Sequence, residues 1–326
     1  MFDLRRLADD ALEALVVPSF TDVGPNLRSR LFDWQPLDSI RMDGRIVLIT
    51  GATSGLGLES AMQLARMGAS LRLLVRSETK GVRAADAIAS GSPAADVRVY
   101  LADMSDLASV RRAADEILAA EARLDVLIHN AGGIVLTRQG SVDGTELTFA
   151  SMVVGPFVLT DALVPLLART ASEAGASRVI TVSSGGMYTQ RLHLDDLQME
   201  REPYRGSVAY ARAKRAQIAL TQEWARRLAS RRIVAHAMHP GWADTPGIAA
   251  TMPRFYRIIG PRLRTSQEGA DTIVWLAAAD DAVRSTGKFW LDRRPRATER
   301  LPGTHVSRQD SLRLWAACEA FSRAPA

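Results

Sequence analysis

The sequence predicts an α/β fold: one doubly wound parallel sheet forming a single domain, with an N-terminal helical extension. Three observations carry this. From residue 44 onward, short β-branched runs alternate with alanine-rich helical stretches. The first run, "RIVLIT" (45–50), is apolar enough to be buried on both faces. The stretches between runs are long enough for crossover helices, which implies βαβ units. Right-handed crossovers then wind the sheet in two directions and open a ligand cleft at the carboxyl ends of the strands.

Residues 1–43 precede the alternation, and in "LRRLADDALEALVV" (4–17) Leu4, Leu7, Ala8, Ala11, Leu12 and Leu15 fall at helical spacing. The expectation is an amphipathic helix packed on the domain or on a neighbouring subunit. Asp3, Asp9, Asp10 and Glu13 argue against an anionic membrane surface. The domain itself spans 44–292. After "RIVLIT" come further strands: "SLRLLV" (70–75), "DVRVYLA" (96–102), "LDVLIHN" (124–130), "SRVITVSS" (177–184), "RIVAHAMH" (232–239) and "GKFWLD" (287–292). Helices are expected at 58–67, with Gly68 as C-cap, then around 79–90, 105–121, 143–169, 207–230 and at "SQEGADTIVWLAAA". The segment 246–266, rich in proline and large apolar residues, suits a lid over the cleft, and 293–326 reads as a tail with one helix.

With 326 residues, 47% hydrophobic and 24% charged, the chain can bury a large core. No apolar run approaches the ~20 residues that span a bilayer, and Asp9, Asp10 and Glu13 interrupt any signal-peptide core. One cysteine, Cys318, provides neither a disulfide framework nor a thiolate metal site, which points to the cytoplasm. The net charge of +5 comes from arginines spread along helices and mixed with Asp and Glu. That pattern is a solvated surface rather than a nucleic-acid site.

The first strand runs into "TGATSGLG" (50–57), so Gly51, Thr53, Ser54, Gly55, Leu56 and Gly57 form a tight turn opening a helix. Glycines there let backbone approach a pyrophosphate, and the helix N-terminus supplies free N–H groups. The second strand ends in Val75 and Arg76 instead of an acidic residue. An acid would repel a 2′-phosphate, whereas a guanidinium pairs with it, so NADP(H) is favoured over NAD(H).

Lysine occurs only three times among 41 basic residues, at Lys80, Lys214 and Lys288. In "AYARAK", Tyr210 and Lys214 stand at i and i+4 on one helix face. A phenol of pKa about 10 is a poor base, and a neighbouring ammonium favours its ionised form. A compact ammonium can also donate to ribose hydroxyls. Upstream, Ser183 and Ser184 close a strand at the cleft end, where a hydroxyl can stabilise charge on a reacting oxygen.

Together these residues resemble the short-chain dehydrogenases/reductases over about 44–292, through Thr50–Gly57, "HNAG" (129–132), Ser184, Tyr210/Lys214 and "HPGWADT" (239–245). The segments "VSSGGM", "DDLQ" and "HPGWADTPG" are most similar to the dehydrogenase/reductase member 12-like branch and, more widely, to retinol-dehydrogenase-like enzymes. The resemblance implies a Rossmann sheet and an oxidoreductase moving hydride between nicotinamide and a carbonyl or alcohol. It makes Tyr210 the acid/base, Lys214 its activator and Ser184 the group that positions substrate. Asp103 and Met104 would flank the adenine, Asn130, Ala131 and Gly132 the adenosine, and Pro240, Gly241 and Thr245 the nicotinamide side. Homodimers or homotetramers are implied, pairing through the helices near 143–169 and 207–230. The apolar lid points to a lipophilic substrate. Two departures stand out. His129 replaces an asparagine, and Met152 falls where the family's catalytic asparagine holds a relay water, a role no thioether fills. Met152 leaves open a second reading: an NADP-binding protein with weak or lost catalysis that docks a partner.

Overall fold

Each apolar run forms a strand, and the strands lie in the order β3-β2-β1-β4-β5-β6-β7-β8. A computed structural model describes residues 4–245 and 251–323. Parallel neighbours are β1 (Ile46–Thr50), β2 (Ser70–Val75), β3 (Val97–Leu101), β4 (Val126–His129), β5 (Ser177–Val182), β6 (Ile233–Met238) and β7 (Phe289–Leu291). β8 (Arg294–Arg296) returns antiparallel along the edge. The order reverses between β1 and β4, and a cleft opens at such a switch point. Nothing in "RPR" resembles a strand, and β8 was not expected.

The sheet separates two apolar cores. One lies under Gly55–Arg66, Glu78–Gly91 and Ser266–Ala278, the other under Leu107–Ala120, Leu147–Ala174, Gly206–Leu228 and Arg308–Arg323. The C-terminal helix joins the second core through Trp315, whose ring lies 4.8 Å from Phe157 and 4.5 Å from Trp224. Contrary to the sequence expectation, one helix is long and apolar enough to cross a membrane: Leu147–Ala174, 28 residues with a mean hydropathy of 1.8 in its most apolar stretch. In the fold it is a core helix. Leu159, Leu163 and Leu167 are fully buried, and Asp161 and Arg169 mark its outer edge.

The N-terminal extension forms three helices, Leu4–Ala14, Val16–Phe20 and Val23–Leu31. The expected helix over 4–17 breaks at Leu15, whose backbone leaves the helical region. The first helix packs by its polar side: Asp9 and Leu12 are buried, while Leu4 and Leu7 are exposed. Arg28, fully buried, draws Asp9 (2.6 Å), Glu13 (2.8 Å) and Asp292 (2.6 Å) together, and Arg264 adds a second bond to Asp292 at 2.6 Å. Burial pushes the carboxyls of Asp9 and Asp292 up, but their arginine partners hold both below the usual range. Of the expected lid, 246–250 lies outside the described residues. The remainder forms the helix Pro253–Ile259 and a tight turn at Gly260–Arg262.

Candidate active site

The carboxyl ends of β1, β2, β4 and β5 frame a cleft of about 610 Å³. Its floor is the glycine turn. Gly51 (φ +69°) and Gly55 (φ +53°) adopt left-handed backbone, and a Cβ on Gly51 would sit 2.8 Å from the Cα of Ala131. Asn130 braces this turn: its side-chain amide donates to the carbonyls of Thr50 and Gly51, both at 3.1 Å. The Thr50 hydroxyl in turn accepts from the N–H groups of Asn130 and Ala131, both at 3.0 Å. A Cβ on Gly57 would strike the Asn130 amide and the Gly51 carbonyl, so Gly57 serves helix–strand packing rather than lining the cleft. Thr53, Ser54, Gly55, Leu56, Ala131, Gly132 and Thr245 all line it. The Gly55–Arg66 helix carries no acidic residue in its first turn, so its N-terminal N–H groups present an undiluted positive end.

At the far end, Arg76 follows β2, 81% exposed and 3.9 Å from Asp103, with Met104 on the same wall. Lys80 and Ser77, which the sequence reading did not select, line this end too. The signal for Lys80 was its rarity: two of the chain's three lysines, Lys80 and Lys214, line the cleft.

The Gly206–Leu228 helix brings Tyr210 and Lys214 to the opposite end. Lys214 is 3% exposed, donates to the Val182 carbonyl at 2.7 Å, and stands 5.3 Å above the Tyr210 ring centroid. Burial pulls its ammonium down to about 7. Burial pushes the Tyr210 phenol up, opposed by a hydrogen bond with the Ser184 side chain. The expected lowering of the phenol by Lys214 is therefore absent from this geometry. The ammonium lies over the ring and spends a hydrogen bond on Val182. The two serines divide cleanly: Ser184 meets Tyr210, whereas Ser183 donates to the Lys214 carbonyl at 3.0 Å.

Pro240, Gly241 and Ser184 are not among the residues that line this cleft. The Pro240 carbonyl accepts from Arg264 at 3.2 Å, and a Cβ on Gly241 would lie 2.7 Å from the Phe20 carbonyl. The "HPG" turn thus holds the N-terminal extension. His129 lies behind the cleft. The Thr160 hydroxyl donates to the Pro156 carbonyl at 2.8 Å, which leaves its oxygen to accept from His129 Nε2 at 2.7 Å. Burial drives this imidazole down to about 3, so it is neutral. Met152, fully buried at the π-helical turn Ala150–Val154, packs against Gly132. Its carbonyl accepts from the Gln217 side chain at 2.8 Å. Among the described residues, no three His, Cys, Asp or Glu side chains are grouped to hold a metal ion.

Comparison with known proteins agrees with this layout. Residues 45–253 match the family model described as short chain dehydrogenase. The human protein named dehydrogenase/reductase SDR family member 12 is 38% identical over 268 residues, 82% of each chain. Human retinol dehydrogenase 12 is 32% identical over 272 residues, 83% of this chain and 84% of that one. A short chain dehydrogenase from Escherichia coli, solved with NADPH, superposes with a TM-score of 0.63 at 26% identity, over 80% of this chain and all of that one.

Proposed function

Because the chain belongs to the short-chain dehydrogenase/reductase family and is an NAD(P)-dependent alcohol/carbonyl oxidoreductase, we propose that it uses NADP(H) to reduce a lipophilic carbonyl, with Tyr210 as the acid. The observation that carries this is the meeting of Tyr210 and Lys214 at one end of a glycine-floored cleft whose other end holds Arg76 and Lys80, with Ser184 beside the Tyr210 phenol. The fit to a dinucleotide rests on the close approach of Gly51 to Ala131, which leaves the turn open for phosphate oxygens. Two cations after β2, with no acid at the strand end, favour a 2′-phosphate.

When bound, NADPH supplies the hydride to the carbonyl carbon. The protein's part is the proton and the geometry. The Ser184 hydroxyl holds the carbonyl oxygen and stabilises charge growing there. Tyr210, kept a neutral phenol by burial, donates its proton to that oxygen as the carbon–oxygen double bond becomes a carbinol. Solvent then restores the proton. A phenol that stays protonated suits reduction better than alcohol oxidation. Lys214, over the Tyr210 ring, would donate to the ribose hydroxyls of the bound cofactor. The lipophilic substrate is supported by aromatic rings beside Ser184: Phe20 lies against Gly185 and 5.6 Å from Trp242, which is 5.0 Å from Phe255. Retinol dehydrogenase 12, a relative, is named for an apolar alcohol.

The test is NADPH oxidation across a panel of long-chain and aromatic aldehydes and ketones. Wild type is expected to turn over, and Tyr210→Phe to lose about 10²–10⁴-fold in kcat with NADPH binding kept. Met152, at the family's asparagine position, supports the second reading of a cofactor-binding protein that docks a partner. Tight NADPH binding with no oxidation across the panel would establish that reading instead.

A further inference from the structure

The first helix is mounted inside out. Along Leu4–Ala14 the 3.6-residue repeat puts Leu4, Leu7, Ala8 and Ala11 on one face and Asp9, Leu12 and Glu13 on the other. An amphipathic helix ordinarily buries its apolar face. Here the acidic face is turned inward, with Asp9 bound by Arg28, Arg294 and Arg296, and Glu13 by Arg28 and Arg300. The apolar face is left in water: Leu4 is 76% exposed, Leu7 50%, Leu15 62% and Val17 51%. We propose that this ridge is a docking surface for an anionic lipid bilayer, into whose interface Leu4, Leu7, Leu15, Val16 and Val17 insert.

The sequence-level objection to a membrane was the acidity of the segment, and the fold removes it. Asp9 and Glu13 are neutralised inside, leaving Asp10 as the exposed acid of the described helix. On the same helix Arg5 and Arg6 are exposed as well, Arg5 paired with Asp33 at 2.9 Å. The Asp22 N–H bonds the Arg262 carbonyl at 3.1 Å, which seats the Pro253–Ile259 helix beside the extension. That helix adds Ile258, 76% exposed, and the exposed Arg254 and Arg257. Exposed apolar side chains with exposed arginines on the helix beside the extension match an acyl boundary under anionic headgroups. A second copy matches less well, because a twofold contact sets each patch against itself and would bring the arginines together. Three helices pinned by buried ion pairs make the ridge a rigid part of the domain, so docking costs little ordering. The ridge also adjoins Trp242 and Phe255 near the site, so it would set the cleft's apolar side against the phase where a lipophilic substrate dissolves. The docking itself does not depend on the proposed chemistry.

Flotation of the whole protein with vesicles tests this, using phosphatidylcholine alone and phosphatidylcholine mixed with phosphatidylglycerol. The mixed vesicles are expected to carry the wild type, and Leu4→Gln/Leu7→Gln/Leu15→Gln to weaken binding by about tenfold or more. Arg254→Gln/Arg257→Gln is expected to weaken it several-fold and flatten its salt dependence. NADPH titration and thermal unfolding should match wild type in both variants, since the substituted side chains are exposed. Wild type that fails to float with mixed vesicles, or a triple leucine variant that floats as well as wild type, overturns the proposal. A wild-type dimer that the triple variant dissolves, with no flotation, assigns the ridge to a second copy instead.

Discussion

The side-chain amide of Gln217 donates to the backbone carbonyl of Met152 at 2.8 Å, tying the Gly206–Leu228 helix to the π-helical turn that backs the cofactor cleft. Met152 presses on Gly132, a cleft-lining residue, so this bond helps set the cleft's back wall. Gln217→Glu would put an acceptor against an acceptor in a buried place. The expected result is a loss of about 2–3 kcal/mol in denaturant unfolding and weaker NADPH binding, with Gln217→Leu milder on both counts.

Arg76 and Lys80 stand together beyond the end of β2. Arg76→Ala and Lys80→Ala should each raise the NADPH dissociation constant about tenfold or more, and leave NADH nearly unchanged, because a charge-assisted bond to phosphate is lost only with the phosphorylated cofactor. Equal weakening toward both cofactors in a titration would assign the two cations to the pyrophosphate instead.

Two buried groups give the stability a pH signature. His129 titrates near 6.5 when unfolded and is held down to about 3 by burial. The unfolded chain therefore binds the extra proton between those values, and stability that is complete above 6.5 declines as pH falls toward 3. Lys214, lowered from 10.5 to about 7, acts in the same sense at higher pH. Its burial penalty is full below 7 and fades as pH rises toward 10.5. Urea unfolding of wild type and Lys214→Met across pH 6 to 10 should show wild type gaining on the variant as pH rises; a constant gap would contradict a lowered ammonium.

Asp292 joins two fully buried arginines, Arg28 from the extension and Arg264 from the main domain. Asp292→Asn removes the carboxylate paired with Arg264 and one of the three on Arg28, and a loss of about 3–5 kcal/mol is expected. Hydrogen exchange should show residues 4–31 losing protection first, because the Arg28–Asp292 pair and the bond from Arg264 to the Ser19 carbonyl help bind them to the domain.

Seven strands were legible because a two-sided parallel sheet needs uninterrupted apolar runs. The cleft was legible because glycine and lysine stood out against their surroundings, and Lys80 carried the same signal unread. β8 was not, because Arg294–Arg296 has no apolar content and exists only by pairing with Phe289–Leu291. Nor was the orientation of the first helix. Its periodicity is correct, but which face turns inward depends on Arg28, Arg294, Arg296 and Arg300, up to 287 positions away. The contacts of Pro240 and Gly241 with Arg264 and Phe20 were illegible for a related reason, since they join the turn to residues far away in the chain.

The antiparallel β8 also settles how the sheet ends. A free edge strand invites another strand to join it. Here Pro295 contributes no N–H, and Arg294 and Arg296 are clamped onto Asp9. The extension thus acts as a selvedge that stops the sheet from growing into a neighbouring molecule. A chain shortened to begin after residue 31 would free Arg294 and Arg296 from Asp9, and should elute from a sizing column as larger species than the whole chain.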